Sequence, residues 1–152
     1  GVSSRLFQEV REKRGLAYSI YSSVMCFSDS GLLTVYAGAR PAVAPRVMGL
    51  VLGELRRLQA EPVGRAELAR AKSQLKGNLM LGLESTSSRM SKLAKDEIYF
   101  GRHIPLREIM ADIDAVSEGQ LWRLSRDLFD GRHLTVTALG PLTKRDVERV
   151  IH

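Results

Sequence analysis

The side chains able to do chemistry in this 152-residue chain are few and scattered. Its three histidines, His103, His133 and His152, stand far apart, and none belongs to a His-x-x-His, His-x-x-x-His or carboxylate-bracketed pair. Zinc ligands usually come at such short spacings because one helix turn or loop must aim two of them at a single ion. The chain therefore reads as having no zinc site of its own. Cys26 is the only cysteine, which excludes an internal disulfide or a thiolate cluster and leaves packing as its expected role. Serines are plentiful, but no Gly-x-Ser-x-Gly elbow occurs and no histidine is placed by sequence to activate a serine or Cys26. Gly49 and Gly53 lack the lysine and third glycine of a phosphate cradle. Hydrolysis and nucleotide binding by these residues alone have no visible engine.

What remains is positive charge and hydrogen-bond donors. The net charge of +6 raises nucleic-acid binding as a candidate. Arg5, Arg11, Lys13 and Arg14 fall in one segment and Arg65, Arg70, Lys72 and Lys76 in another, but Glu9, Glu12 and Glu67 interrupt both at helical spacing. Solvated helix faces explain that pattern better, and neither a zinc-finger spacing nor an aromatic RNA-binding signature accompanies it. Among the donors, Arg11 offers a permanently charged fork and Tyr18 a phenolic hydroxyl, seven positions apart with Gly15 between them. Taken singly, such an arginine is usually solvated and such a tyrosine usually packs its ring.

The elements that would carry these residues follow from periodicity. Leu6, Phe7 and Val10 recur at helical spacing from Arg5 to about Arg14, and Gly15 stands where a helix commonly ends in a left-handed residue. Two β-prone runs, Tyr18 to Phe27 and Leu32 to Ala39, flank Ser28-Asp29-Ser30-Gly31 and predict an antiparallel hairpin. Pro45 then opens a helix whose stripe of Val47, Met48, Val51, Leu52, Leu55 and Leu58 should cover the sheet and stop at Glu61-Pro62. A third helix starts near Arg65, with Leu68, Ala71, Leu75 and Leu79 on one face. Ser85 to Ser88 supplies caps before Met90, Leu93, Ala94 and Ile98, and whether this makes one long helix or two stays open. Ser117 and Gln120 form a capping-box pattern ahead of Leu121, Leu124 and Leu128, with Trp122 expected to pack in a core or between domains. His133 to Leu139 alternates as a third strand, and Thr143 caps a final helix running to His152.

This order predicts an α+β chain: a two-layer sandwich with helices on one face of a mainly antiparallel sheet. Three strands are few for so much helix, so a further strand is expected upstream of Gly1, the absence of an initiator Met fitting a domain cut at its N-terminus. No apolar run approaches the roughly 18 residues that cross a bilayer, so no membrane partner is expected.

The segment Ser3 to Ser22, SSRLFQEVREKRGLAYSIYS, resembles the pitrilysin- and insulinase-type zinc metallopeptidases of peptidase family M16, which include the mitochondrial-processing-peptidase-like proteins. The pattern Leu-Phe-x-x-x-Arg-Glu-x-x-Gly-Leu-Ala-Tyr is the one carried by the family's C-terminal, metal-free domain, and the similarity extends less specifically over the remaining chain. It implies that residues 1–152 form most of one such domain. A zinc-binding N-terminal domain would carry an inverted His-x-x-Glu-His motif in the same protein or in a partner subunit. By the same resemblance zinc would be bound outside this chain, the substrates would be peptides, and the protomer would pair as a dimer. Arg11 and Tyr18 would bind substrate, with Tyr18 directed at the scissile carbonyl oxygen and Arg11 at a neighbouring substrate carbonyl. Two other readings stay open: a non-catalytic subunit of the same fold, and a basic nucleic-acid-binding domain.

Overall fold

Gly15 ends the first helical segment at φ +59°, a left-handed conformation that a residue without Cβ adopts freely. The segment is helical from Arg5 and widens over Phe7–Glu12 into a π-helix, where the Lys13 amide donates to the Gln8 carbonyl at 2.9 Å. Beyond the glycine the chain extends into β1 (Ala17–Cys26), which pairs antiparallel with β2 (Gly31–Ala39) as the expected hairpin. The register slips at its base: Ala17 faces Ala39 and Ser19 faces Gly38, so Tyr18 is an extra residue with no opposite number. Such a bulge breaks strict alternation and turns the inserted side chain. Burial records it, since Ala17 and Ile20 point inward while Tyr18 is exposed.

The structure is a computed structural model describing residues 4–151; Gly1 to Ser3, including the first residue of the motif segment, and His152 lie outside the described residues. The chain divides into two compact units, Gly1–Glu61 with Ser125–His152, and Pro62–Leu124. In the first, a 3-10 turn at Pro41–Val43 leads into α1 (Ala44–Ala60), with Pro45 in its first turn as expected. Val47 of α1 closes on Val10, Ala17 and Ile20 to form the buried core, with Leu6, Phe7, Leu16 and Leu50 packed around it. The predicted stripe on α1 is at least half-buried throughout.

The hairpin runs beyond this cover. Every residue of β1 from Tyr21 to Cys26 is exposed, and Cys26 is a free, exposed thiol, contrary to the packing role expected of it. Tyr21 and Tyr36 face each other in register and stack with ring centroids 5.1 Å apart. Both are exposed because they stand on the face turned from Ile20 and α1. Thr143 and Asp146 exchange capping bonds at the start of α6 (Lys144–Ile151), Thr143 N to Asp146 Oδ2 at 2.9 Å and Asp146 N to Thr143 Oγ1 at 3.2 Å. The predicted third strand is not formed: residues 134–139 make no ladder with any described segment. Alternation alone does not make a strand, since its amides and carbonyls need a neighbouring chain to bond.

The second unit contains α2 (Arg65–Gly82), α3 (Thr86–Phe100) and α4 (Leu106–Ala115); α5 (Glu118–Leu128) crosses the boundary. The open question of one helix or two resolves as two, separated at Leu83–Ser85, with Ser85 Oγ accepting from the Ser88 amide at 3.4 Å and Gly101 ending α3 at φ +63°. The Ser117–Gln120 capping box forms with both reciprocal bonds, Ser117 N to Gln120 Oε1 at 2.8 Å and Gln120 N to Ser117 Oγ at 3.2 Å. Helix α4 was not foreseen, and Trp122 is half-buried. Leu75, Met90, Leu93 and Ile98, apolar residues at helical spacing, are exposed, and the one buried side chain among this unit's described residues is Asp96, 6% accessible. Its carboxylate accepts from Lys92 Nζ at 2.5 Å and from the Ile104 amide at 3.0 Å, with His103 Nδ1 at 3.3 Å, pinning the loop after α3. No described helix is long and apolar enough to cross a membrane.

Two consequences are measurable. Val10→Ala removes a wholly buried side chain from the small core and should lower the unfolding free energy by about 2 kcal/mol in urea titration; a change near zero would show the core to be elsewhere. The Asp96 carboxyl is held below its ordinary range, first by the Lys92 hydrogen bond and then by the Ile104 amide. A depressed folded pKa contributes stability above the unfolded value, and that stability is lost as pH falls through the folded one. Acidification below about pH 4 should therefore lower the melting temperature less steeply in Asp96→Asn than in the parent, whereas equal slopes would mean that the staple carries no folding energy.

Candidate functional site

The backbone around Gly15 is closed by two hydrogen bonds that bring the helix end onto the strand start. The Gly15 amide donates to the Arg11 carbonyl at 2.9 Å, and the Leu16 amide donates to the Val10 carbonyl at 3.0 Å. Val10 on one side of this closure and Ala17 on the other are both buried. Their neighbours Arg11 and Tyr18 must therefore leave the core on either side of the same short turn, and both are exposed, Tyr18 by 66%. A buried phenol would be spent on packing, whereas this one is available to a ligand. No described hydrogen bond joins the two side chains to each other or to a third group.

The three cations of the turn are treated unequally. Lys13 Nζ lies 2.5 Å from Glu9 Oε1, and Arg14 donates to both Glu9 Oε2 at 2.5 Å and the Glu9 carbonyl at 2.7 Å. The Lys13 hydrogen bond, then that of Arg14, holds the Glu9 carboxyl down at about 2, so the clamp is intact from neutral pH down through the usual glutamate titration range. Arg11 forms no ion pair among the described residues; its guanidinium carbon instead stands 5.0 Å from the centre of the Phe7 ring, within cation–π range. Both expected site residues thus sit on the surface at one helix–turn–strand junction. The sequence puts Phe7 on the helix stripe and Glu9 among the basic residues, but assigns neither a part in the site, although Phe7 and Arg11 stand four apart and Glu9 and Lys13 likewise, the spacing at which helical side chains meet.

The second unit has a recess lined by Leu83, Arg89, Lys92, Leu93, His103 and Ile104. Its rim cations are already committed: Arg89 Nε donates to the Leu83 carbonyl at 2.5 Å, and Lys92 Nζ to the Ile104 carbonyl at 2.7 Å as well as to Asp96. Metal donors do not assemble anywhere among the described residues, where no three of His, Cys, Asp and Glu come together to hold an ion. His103 sits beside Asp96 but brings no further ligand with it. The described residues of this chain thus do not fit a zinc site.

Comparison with known proteins bears on the same stretch. A model described as the peptidase M16 inactive domain matches residues 1–75, which include the whole Arg11–Tyr18 junction. An uncharacterized zinc protease of Streptomyces coelicolor is 39% identical over 150 residues, covering 99% of this chain and 32% of that protein. An uncharacterized zinc protease of Bacillus subtilis is 42% identical over 128 residues, covering 84% of this chain and 31% of that protein. The chain therefore spans about a third of the length of these curated relatives. Among solved structures, a chain of complex III2 from Candida albicans with Inz-5 bound superposes with a TM-score of 0.74 at 28% identity, over 82% of this chain and 30% of that one. A protease from Helicobacter pylori gives a TM-score of 0.64 at 25% identity, over 84% and 30%. With the junction motif, the family model and the zinc-protease relatives all in agreement, this chain belongs to the M16 peptidase family, as part of the domain type described as inactive.

Proposed function

We propose that this chain is the substrate-gripping, transition-state-assisting half of a zinc-dependent endopeptidase. The observation that carries the reading is the exposure of Arg11 and Tyr18 on either side of a turn whose backbone is hydrogen-bonded shut. Two donors held on a stiff frame suit a peptide backbone, whose carbonyl oxygens are the acceptors it presents in every sequence. The Tyr18 hydroxyl donates to the scissile carbonyl oxygen as negative charge develops there, and a donor set in place beforehand stabilises that charge without reorganising. The Arg11 guanidinium donates to an adjacent substrate carbonyl and holds the extended peptide in register.

Zinc, which the relatives' names attach to the protein family, would be held by a domain elsewhere in the protein or by a partner subunit, since the described residues of this chain offer no ligand set. That domain would supply the hydrolytic chemistry, and residues 1–152 would be most of the domain that faces it, in a protomer that pairs. A non-catalytic subunit of the same fold is the second reading, favoured by the superposition on a chain of complex III2. Arg11 and Tyr18 weigh against it, because an assembly role by itself gives no reason to leave both donors uncommitted. A nucleic-acid reading is weaker, because several of the clustered cations are engaged within the chain: Glu9 bridges Lys13 and Arg14, and Asp114 engages Lys76.

In the full-length protein, Tyr18→Phe should lower kcat on an unstructured peptide by about tenfold to a thousandfold, as for loss of one oxyanion donor. Arg11→Ala should lower kcat/KM by about tenfold to a hundredfold, the range of a charge-assisted hydrogen bond. Parent-like cleavage by a folded Tyr18→Phe variant would remove the catalytic role, and absence of any cleavage by the parent would favour the subunit reading.

A further inference from the structure

An uncommitted arginine is a poor grip unless something restricts it. Its side chain has several rotatable bonds, and restraining them on binding costs conformational entropy. Among the described residues Arg11 has no carboxylate partner to restrain it, yet its guanidinium rests over the Phe7 ring one turn earlier. That ring is itself anchored, half-buried against the core built on Val10, Ala17, Ile20 and Val47.

The π-helix separates Arg11 from the neighbouring cations. In an ordinary α-helix, residues five apart point about 140° away from each other, so one carboxylate does not easily hold cations at both the fourth and fifth positions beyond it. Here the turn is widened, as the Lys13 amide bond to the Gln8 carbonyl shows, and Glu9 reaches Lys13 and Arg14 together. Two of the three charges are drawn to one side, and Arg11 alone is left on the aromatic face.

We propose that Phe7 is the positioning residue for Arg11, holding its guanidinium in a preset orientation by a cation–π contact, with Glu9 keeping Lys13 and Arg14 out of that place. This rests on the reading of Arg11 as a substrate-binding residue and adds to it the means by which the grip is preorganised. A carbonyl-directed arginine is favoured in this setting because an aromatic face stabilises the cation while leaving its N–H edge free for an acceptor, whereas a carboxylate partner would occupy that edge.

The test uses the full-length protein and a single neutral, unstructured peptide, with kcat and KM measured separately for Phe7→Leu, Phe7→Tyr, Arg11→Ala and the double variant Phe7→Leu/Arg11→Ala. Leucine keeps an apolar group on the core but removes the ring face, and tyrosine keeps both. Phe7→Leu should raise KM by about twofold to tenfold, the size of one exposed to partly desolvated cation–π contact, with kcat little changed. Phe7→Tyr should restore the parent KM, and the double variant should match Arg11→Ala alone. Equal losses from Phe7→Leu with and without Arg11 would show Phe7 to be structural and overturn the inference while leaving the substrate role of Arg11 intact. If Arg11→Ala itself changes neither constant, both the inference and the substrate role fall. Melting temperatures within a few degrees of the parent confirm that folded proteins are being compared.

Discussion

The surface proposed to grip a peptide depends on closing one short loop of backbone. Around the bond from the Leu16 amide to the Val10 carbonyl the chain must reverse, convert a helix into a strand, and put Arg11 and Tyr18 outside while keeping Val10 and Ala17 inside. Gly15 makes the reversal feasible, since its φ of +59° would cost an alanine about 1–2 kcal/mol. Open space surrounds the position where its Cβ would lie, so the requirement is one of backbone conformation and not of crowding. The two hydrogen bonds then make the geometry of Arg11 and Tyr18 a property of the backbone, less subject to side-chain freedom.

Two departures from regular structure flank this closure, and both change where side chains go. The π-helix lengthens the turn before Gly15, and the bulge inserts Tyr18 after it. Without the bulge, alternation from Ala17 would put Ser19 inside and Ile20 outside; with it, Ile20 joins the core and Tyr18 remains accessible. Irregular elements of these types collect at functional sites in other proteins because they re-aim side chains at small cost in pairing. Their occurrence on both sides of one glycine is the structural reason to look for function here and not in the recess of the second unit, whose cations are consumed by internal bonds.

Local signals proved readable in the sequence and nonlocal ones did not. The capping box at Ser117, the caps at Thr143 and Ser85, and the hairpin around Ser28 to Gly31 form as their residue types dictate, because each is decided within a few positions. Helix α4 was missed: Pro105 marks its start, but no hydroxyl or carboxamide cap precedes it and its apolar stripe is short. Residues 134–139 alternate correctly, yet strand formation also depends on a second chain segment that alternation cannot supply. Burial was the hardest to foresee. Asp96 looks in sequence like half of a surface pair with Lys92, four residues earlier, and only the Ile104 amide closing on it makes it a buried staple. Arg11, Gly15 and Tyr18 were legible through their motif, whereas the ring beneath Arg11 and the carboxylate holding its neighbours required coordinates.

The most direct measurement is a crystal structure of the full-length protein with a non-hydrolysable peptide analogue bound. The peptide should lie across the Gly15 turn, with the Tyr18 hydroxyl and the Arg11 guanidinium each within about 3.5 Å of a backbone carbonyl oxygen or its tetrahedral mimic. A peptide bound elsewhere, with both side chains left in solvent, would contradict the reading and leave this domain a structural member of its family.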